Sequence, residues 1–327
     1  MRRRIIGAAL AVLAGAAGAQ GAPQGAAEDW PGARPIVLVV PFGAGSGSDI
    51  VARFYARALK ESLNANAVVE LRPGAAGMIG GLAGARAAPD GWTVLVGSGT
   101  VNAANYPLFR DRIQYGPQQF SVVATTYVSP PLLLAAKDLP GDSVGEVVAN
   151  AKRLGRPLNC GNGNAVTQVA CELLRRKTGA DVVSVPYKGN GQSMTDLAAG
   201  QIAIAFSDMA AAGPHVARGA ARPVATPTAT RLPAMPELKT FAEQGIADFE
   251  FMSWNTFFVP VGTPPDRIRK LNQAARHMLA MPEWEKQRLA TNGLKVSGDL
   301  AESEAFVRDE IARWERYVKE TGVKGTE

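Results

Sequence analysis

Histidine and cysteine are scarce in this sequence. Only two of each occur among 327 residues. That supply disfavours a zinc site, which would need all four of these residues, and it excludes a multi-histidine active site and a small scaffold held together by several disulfides. Aromatic residues are also sparse, at 7%, whereas hydrophobic residues as a class make up 46%. The chain therefore has enough apolar material for the cores of about two domains, and a disordered chain is excluded.

A large charge excess is also lacking. The formal net charge is +6, and half of it comes from the three arginines of residues 1–19, a stretch without acidic residues. No longer run of lysine or arginine occurs, and the patterns of common nucleic-acid-binding modules are missing. Beyond the N-terminus, no segment approaches 18 consecutive apolar residues. We therefore expect neither a nucleic-acid partner nor a membrane-spanning helix in the mature chain.

The N-terminal segment has the layout of an export signal. Arg2–Arg4 is a basic start, Ile5–Ala17 is an apolar stretch too short to anchor in a bilayer, and Ala17-Gly18-Ala19 is a small-residue cleavage pattern. A buried N-terminal helix is the alternative, but it leaves the basic start and the small-residue end unexplained. We expect residues 1–19 to be a cleaved signal peptide and the mature protein to be periplasmic.

The mature chain alternates strand and helix patterns, which predicts an α/β fold with mostly parallel sheets. The predicted strands are Ile36–Val40, Ala67–Leu71, Trp92–Val96, Leu132–Ala136, Asp181–Val185 and Gln201–Phe206. Four helices are predicted by range: Met78–Ala87, Ser143–Leu154, Cys171–Lys177 and Ser193–Ala199. Two more are predicted from their first residues, one capped by Ser48 or Asp49 and one that begins with Thr263 and Pro264. A closing helix has Val307, Ile311, Trp314 and Val318 on its core face.

Glycine-rich turns follow several of these strands. Three stand out: Pro41–Asp49, Arg72–Gly77 and Gly161–Gln168. Ligands of open α/β sheets bind outside the carboxyl ends of the strands, where such turns meet helix N-termini. Exposed backbone N–H groups and the positive end of the helix dipole favour an anion there. The turns together predict an anion site built from backbone rather than from charged side chains.

An ordered set of motifs resembles a known family over essentially the whole mature chain. In sequence order these motifs are Arg34–Asp49, Arg72–Gly80, Ala88–Thr93, Val185–Gly189, Asp196–Gln201 and Pro260–Pro264. They are similar to the Bug family, the extracytoplasmic solute receptors of tripartite tricarboxylate transporters. Each motif alone is weak, but the ordered set at family-like spacing is specific.

The resemblance implies a two-lobed periplasmic binding protein fold of type 2, with two hinge crossings and the ligand in the inter-lobe cleft. The crossings are expected near Thr125–Pro130 and Phe249–Trp254. Lobe one is then 28–126 plus 253–327, and lobe two is 127–252. The implied function is capture of a small carboxylate, namely a dicarboxylate, a tricarboxylate or an amino acid. A monomer would deliver it to membrane permease subunits, with no cofactor and no metal.

The resemblance also implies which residues bind the ligand. In lobe one these are Phe42, Ala44, Gly45 and Ser48 on the first turn, with Gly77, Ser98 and Asn105 on neighbouring turns. In lobe two they are Ala165, Val166, Thr167 and Gln168. Gln168 stands where the family usually has a histidine. Glutamine hydrogen-bonds but carries no charge, so a ligand preference that rests on the histidine does not transfer.

Asp208 has two interpretations. It follows a buried strand, which directs its carboxylate to the cleft, and a family branch with Asp there takes ligands carrying an ammonium group. Asp208 would then pair with that ammonium in a charge-assisted contact. Alternatively, Asp208 caps the helix that begins after it. The sequence leaves both open.

The remaining polar candidates have structural interpretations. His215 and His277 lie in predicted helices, far apart in sequence, and we expect structural or surface roles. Tyr187-Lys188 is expected at the rim of the cleft. Cys160 and Cys171 could pair in an oxidising compartment, but one ends a predicted strand and the other lies in a helix, and disulfide geometry is demanding. That pairing stays open.

Two other classes of function are compatible with parts of the sequence. An exported enzyme is disfavoured because Gly43-x-Gly45-x-Gly47 is not a dinucleotide fingerprint, and neither a Walker lysine motif nor a hydrolase elbow occurs. A receptor that presents its ligand to a membrane sensor, rather than to a transporter, fits every residue cited. The sequence does not separate it from a transport receptor.

Overall fold

The computed structural model describes residues 30–325, so the signal peptide expected at residues 1–19 lies outside the described residues. The strands are β1 Ile36–Val40, β2 Ala67–Leu71, β3 Thr93–Ser98, β4 Phe120–Ser129, β5 Leu132–Ala136, β6 Leu158–Asn162, β7 Val182–Pro186, β8 Ile204–Ser207, β9 Ala221–Ala225 and β10 Ser253–Pro260. The α-helices are α1 Gly47–Leu63, α2 Met78–Ala85, α3 Asn105–Leu108, α4 Val144–Arg153, α5 Ala165–Thr178, α6 Asn190–Ala198, α7 Met209–Ala217, α8 Pro265–Ala280, α9 Pro282–Ala290 and α10 Leu300–Thr321.

The strands form two five-stranded sheets, one in each lobe. Sheet one has the order β2-β1-β3-β10-β4, and sheet two has the order β7-β6-β8-β5-β9. In sheet one, β1 pairs in parallel with β2 and β3, while β10 runs antiparallel between β3 and β4. In sheet two, β6 pairs in parallel with β7 and β8, while β5 is antiparallel to β8 and β9. The α/β fold is confirmed, but the sheets are mixed rather than mostly parallel: β10 and β5, the strands by which the chain enters each sheet after a crossing, run antiparallel to their neighbours.

The chain passes between the sheets twice. It leaves sheet one after Ser129 and enters sheet two at Leu132, then leaves sheet two after Ala225 and re-enters sheet one at Ser253. Strand β4 continues in sheet one for three residues beyond the expected boundary at 126/127, where Ser129 still pairs with Ser253. The lobe boundaries at 126/127 and 252/253 stay predictions.

Several helix starts differ from their sequence predictions. Helix α6 begins at Asn190, three residues before the predicted Ser193, and the caps of α1 and α8 differ by one to three residues. The N-cap of α1 is Ser46, whose hydroxyl accepts the Asp49 N–H at 3.2 Å, rather than Ser48 or Asp49. Helix α8 begins at Pro265 with Pro264 at the cap, because the Thr263 hydroxyl turns back to the Pro260 carbonyl at 2.8 Å instead.

Helices α1 and α8 join the two ends of the chain within lobe one. Tyr55 of α1 is fully buried, donates a hydrogen bond to the Leu271 carbonyl of α8 at 2.9 Å, and stacks on Phe257 of β10 with 3.9 Å between ring centroids. The closing helix α10 buries Val307 and Trp314, as its stripe predicts. In residues 30–325, none of the helices is both long and apolar enough to cross a membrane.

Replacement of Tyr55 tests this junction. Tyr55→Phe loses one buried hydrogen bond and is expected to lower the free energy of unfolding by about 1 kcal/mol. Tyr55→Ala also leaves a cavity and is expected to cost about 3–5 kcal/mol. Urea unfolding of both variants measures the difference, and a loss below about 1 kcal/mol for Tyr55→Ala would contradict the packing described here.

Candidate functional site

A cavity of about 630 Å³ lies between the two sheets. Five connections at the carboxyl ends of strands contribute to its wall: those that follow β1 and β3 in sheet one, and those that follow β6, β7 and β8 in sheet two. This is the position at which open α/β sheets bind ligands. The cavity is the inter-lobe cleft that the resemblance implies.

Four helices point their N-termini at the cavity. Residues from the first turn or the cap of α1, α5, α6 and α7 line it. The first N–H groups of a helix have no acceptor within the helix, and the helix dipole adds partial positive charge at the same end. Four such ends around one cavity create a positive potential without a cluster of basic side chains.

The turn before α1 is held in place by its own side chains and by β10. The Gly45 N–H donates to the Asp49 carboxylate at 2.8 Å. The Ser48 hydroxyl accepts a hydrogen bond from the Asn255 amide at 2.8 Å, and the same amide donates to the Gly97 carbonyl at 3.0 Å. Asn255 therefore ties the α1 turn to the end of β3.

The turn before α5 is fixed by a reciprocal cap. The Asn164 side chain accepts the Thr167 N–H at 3.0 Å, while the Thr167 hydroxyl accepts the N–H groups of Gly163 and Asn164 at 3.0 and 3.2 Å. A Cβ on Gly163 would lie 2.2 Å from the Asn190 backbone nitrogen at the start of α6. Glycine at 163 thus lets the α5 and α6 turns touch.

The cavity wall is nearly neutral in formal charge. Among the described lining residues, only Lys188 and Asp208 are charged. The Asp208 Oδ1 caps α7 by accepting the Ala211 N–H at 3.0 Å, and its Oδ2 accepts the Asn190 amide at 2.7 Å. Lys188 is exposed and has no ion-pair partner among the described residues. The capping interpretation of Asp208 is confirmed, and its carboxylate also faces the cavity.

The lobe-one wall beyond the α1 turn is apolar and aromatic. Tyr127 of β4 packs edge-on against Trp284 of α9, with centroids 6.1 Å apart, and its hydroxyl donates to the Thr291 carbonyl at 3.4 Å. Burial raises the pKa of Tyr127, and the nearby charge of Asp208 raises it further. Tyr127 is therefore a neutral phenol at physiological pH, and this wall offers contact area rather than charge.

The structure brings seven of the expected site residues to the cavity wall: Phe42, Ala44, Gly45, Ser48, Ser98, Val166 and Asp208. Five others do not line it. Gly77 lies behind Phe42 and Asn105 is fully buried, where its amide donates to the Ala76 carbonyl at 3.0 Å. Ala165, Thr167 and Gln168 lie in the first turn of α5, and both the N–H and the hydroxyl of Thr167 are hydrogen-bonded within the cap.

Several wall residues were not expected from the sequence. They are Thr100, Tyr127, Asn190, Ser253, Trp254, Asn255, Trp284, Gln287 and Thr291. Those on β10 and α9 come from the C-terminal third, and no glycine-rich turn marks them. The position of Asn190 at the cavity could have been predicted from the sequence, because Asn190 follows the Val185–Gly189 motif and begins a helix directly after a strand. Asn164 also lines the cavity, and it lies in the predicted Gly161–Gln168 turn.

Cys160 and Cys171 form a disulfide, with Cα atoms 5.9 Å apart. Helix α5 begins at Ala165, six residues before the predicted start, so Cys171 lies in its second turn and packs directly over β6. The bridge encloses the turn that presents Gly163, Asn164 and Val166 to the cavity. It therefore braces one wall of the cleft.

The other polar candidates lie away from the cavity wall. His215 contacts Arg218 at 2.8 Å and His277 contacts Glu61 at 3.0 Å, both on exposed surfaces. The Tyr187 hydroxyl donates to Asp196 at 2.9 Å. Within residues 30–325, no group of three or more histidine, cysteine or acidic residues is arranged to hold a metal ion.

Comparisons with known proteins give one consistent family. The protein-family model described as "Tripartite tricarboxylate transporter family receptor" matches residues 51–323 of this chain. Among curated proteins, Protein BugT of Bordetella pertussis is 33% identical over 299 residues, which cover 89% of this chain and 90% of that protein.

Solved structures agree. Rpa4515 of R. palustris, solved with adipate, is 32% identical with a TM-score of 0.81 over 90% of this chain and 99% of its own. MatC (Rpa3494) from Rhodopseudomonas palustris, solved with bound malate, is 29% identical with a TM-score of 0.77 over 87% and 99% of the two chains.

Removal of the disulfide tests its bracing role. Cys160→Ala/Cys171→Ala is expected to lower the free energy of unfolding by about 2–3 kcal/mol, because the short enclosed loop gains freedom in the unfolded chain. Thermal unfolding of this variant measures the effect, and wild type with and without dithiothreitol is the matched control. Equal stability of all three samples would contradict a bridge between these cysteines.

Proposed function

The chain belongs to the receptor family of tripartite tricarboxylate transporters, and on this premise we propose that it is a periplasmic receptor that binds a small carboxylate in its cleft. The Bug-type resemblance in the sequence is confirmed by this membership, as is the two-lobed fold. We further propose that the mature protein is a monomer and delivers its ligand to membrane permease subunits. Its relatives with adipate and malate support a carboxylate as ligand.

The convergence of four helix N-termini on the cleft is the observation that carries this proposal. The wall carries one cation, Lys188, against one anion, Asp208, so side-chain charge alone does not attract an anion. Residues at the starts of α1 and α5 line the cavity from the two different sheets, and a carboxylate that reached both helix ends would receive N–H donors from both lobes. Binding would then favour closure of the lobes by a hinge motion.

We propose that the protein does no chemistry on its ligand. A catalytic site of acid–base or nucleophilic type needs a group within reach that can exchange a proton or attack. Among described residues, the wall offers no histidine or cysteine, and its one acidic side chain is engaged by Ala211 and Asn190. The wall instead has the mixture of apolar contact area and a few oriented polar groups that suits reversible binding.

Asp208 supports a finer proposal about the ligand. Its carboxylate faces the cavity beside Asn190, whose Oδ1 is buried and has no hydrogen-bond partner among the described residues. The carboxylate at this corner of the cavity favours a ligand with a donor there, and an α-ammonium group would supply both charge and N–H donors. We therefore propose an amino acid as the preferred class of carboxylate.

A thermal-shift panel tests the receptor function. Mature protein is mixed with di- and tricarboxylates, acidic and neutral amino acids, aromatic carboxylates, and NAD and ATP as controls. A carboxylate present at one hundred times its dissociation constant stabilises the folded state by about 2.7 kcal/mol, which raises the melting temperature by a few degrees. A shift with the nucleotides alone would contradict the proposal, and so would the absence of a shift with every carboxylate in the panel.

Asp208→Asn tests the ammonium partner, because the amide oxygen can still cap α7 while the charge is lost. Binding of the amino acid that gives the largest shift is expected to weaken about 10- to 100-fold, as for loss of a charge-assisted contact. Binding of adipate, which has no ammonium, should weaken little or improve. Isothermal titration measures both affinities, and an equal effect on both ligands would refute the role.

A further inference from the structure

Helix α10 runs along both crossing strands and reaches lobe two. Three of its polar side chains, spaced by seven residues, each contact a different segment. The Ser303 hydroxyl accepts the Thr125 N–H of β4 at 2.8 Å, Glu310 accepts a hydrogen bond from Trp254 of β10, and the Tyr317 hydroxyl donates to the Glu250 carbonyl. Seven residues are two helical turns, so the three side chains lie on one face.

The same helix ends against lobe two. The Arg176 guanidinium of α5 donates to the Thr321 carbonyl, and Lys177 pairs with Glu320 at 3.4 Å. Helix α5 is one of the four helices whose N-termini line the cleft. Helix α10 therefore links the back of both crossing strands to a helix of the opposite wall.

Glu310 is the unusual member of this face, because it is a carboxylate with only 2% of its surface exposed. Its Oε2 accepts the Trp254 indole N–H at 3.0 Å, and its Oε1 lies 3.0 Å from the Arg313 guanidinium. Burial raises the pKa of Glu310, while Arg313 and the indole hydrogen bond act in the opposite direction. A buried carboxylate is costly unless its oxygens are satisfied, so both contacts are needed to keep it there.

Trp254 connects Glu310 to the cleft. Trp254 is one of the residues that line the cavity, and its buried indole packs edge-on against Phe306 at 5.7 Å beside the turn that follows β3. A Cβ on Gly99 in that turn would be 3.1 Å from the Trp254 Nε1. The indole N–H thus lies between Glu310 behind it and the Gly99 backbone at the cavity wall.

We propose that Glu310 is a positioning residue for the ligand cleft: by accepting the Trp254 N–H, it fixes the indole that supports the Ser98–Thr100 wall. Glu310 does not touch the ligand, and it acts only through Trp254. The effect on ligand affinity rests on the proposed receptor function, whereas the effect on the indole does not.

The direct test is the fluorine NMR spectrum of protein labelled with 5-fluorotryptophan, which gives one signal for each of its five tryptophans. Trp254→Phe identifies the signal of Trp254. Glu310→Leu, which removes the acceptor, is expected to shift and broaden the Trp254 signal while those of Trp30, Trp92 and Trp284 stay in place. Glu315→Gln on the exposed side of α10 is the matched control and should leave all of these signals unmoved. An unmoved Trp254 signal in Glu310→Leu would overturn the proposal.

The affinity for adipate is the second measurement, made by isothermal titration. Glu310→Leu is expected to weaken binding about 10-fold, the size of a lost hydrogen bond to a charged group, and Glu310→Gln, which keeps an acceptor, should stay within about 3-fold of wild type. In a Trp254→Phe background, Glu310→Leu should add little, because the donor is already gone. An equal further loss in that background would show that Glu310 acts by another route and would overturn the proposal.

Two possible failures remain distinguishable. If no carboxylate or amino acid of the thermal-shift panel, adipate included, binds wild type, the receptor proposal loses support, and the fluorine signal of Trp254 still decides the positioning role. If Glu310→Leu does not fold, Glu310→Gln replaces it, since exchange of a carboxylate for an amide acceptor should still shift the Trp254 signal by a smaller amount. No shift in that variant would also refute the role.

Discussion

The antiparallel pairing of β4 with β10 is the constraint on which the rest of the structure depends. These strands leave and re-enter lobe one, and they pair from Ser253 opposite Ser129 to Pro260 opposite Phe120. Because β10 lies between β3 and β4, the C-terminal segment completes the first sheet instead of forming a separate unit. Both crossings therefore lie side by side, which is the geometry that a two-lobed receptor needs in order to bend at one place.

The same pairing builds part of the cleft. Side chains alternate between the two faces of a strand, so successive residues at the start of β10 contact different elements of the lobe-one wall. Asn255 ties the α1 turn to β3, and its neighbour Trp254 supports the turn after β3 while reaching back to α10. The cleft wall of lobe one thus depends on residues that are more than 150 positions away from the turn they hold, in contact through one strand.

Sequence reasoning reached the fold and the glycine-rich turns, since both are local signals. The continuous apolar and mostly β-branched run at Ile36–Val40 predicts a buried strand, and the turn after it follows directly. The sequence does not predict that Tyr127, Trp284 and Gln287 line the cavity, because their positions follow from the pairing of β4 with β10 and from the packing of α9 against α1. The disulfide does not follow from the sequence for a related reason. The distance between Cys160 and Cys171 depends on the residue at which α5 begins, and that start is set by the Asn164 cap, a pattern of a few polar residues that is hard to recognise in a sequence.

The electrostatic design of the cleft also explains why its side chains carry so little charge. Backbone donors at helix ends are fixed by the fold and lose no side-chain freedom when they bind an anion, whereas an arginine must be ordered and desolvated. A site that must release its ligand to another protein gains from this arrangement, because four partial charges shared between two lobes hold an anion firmly only while the lobes are together. If the lobes open by the proposed hinge motion, the donors of α1 separate from those of α5, α6 and α7, and the attraction falls at the same step that exposes the ligand. On this argument the division of the donors between the lobes, rather than their number, suits the protein to capture and release.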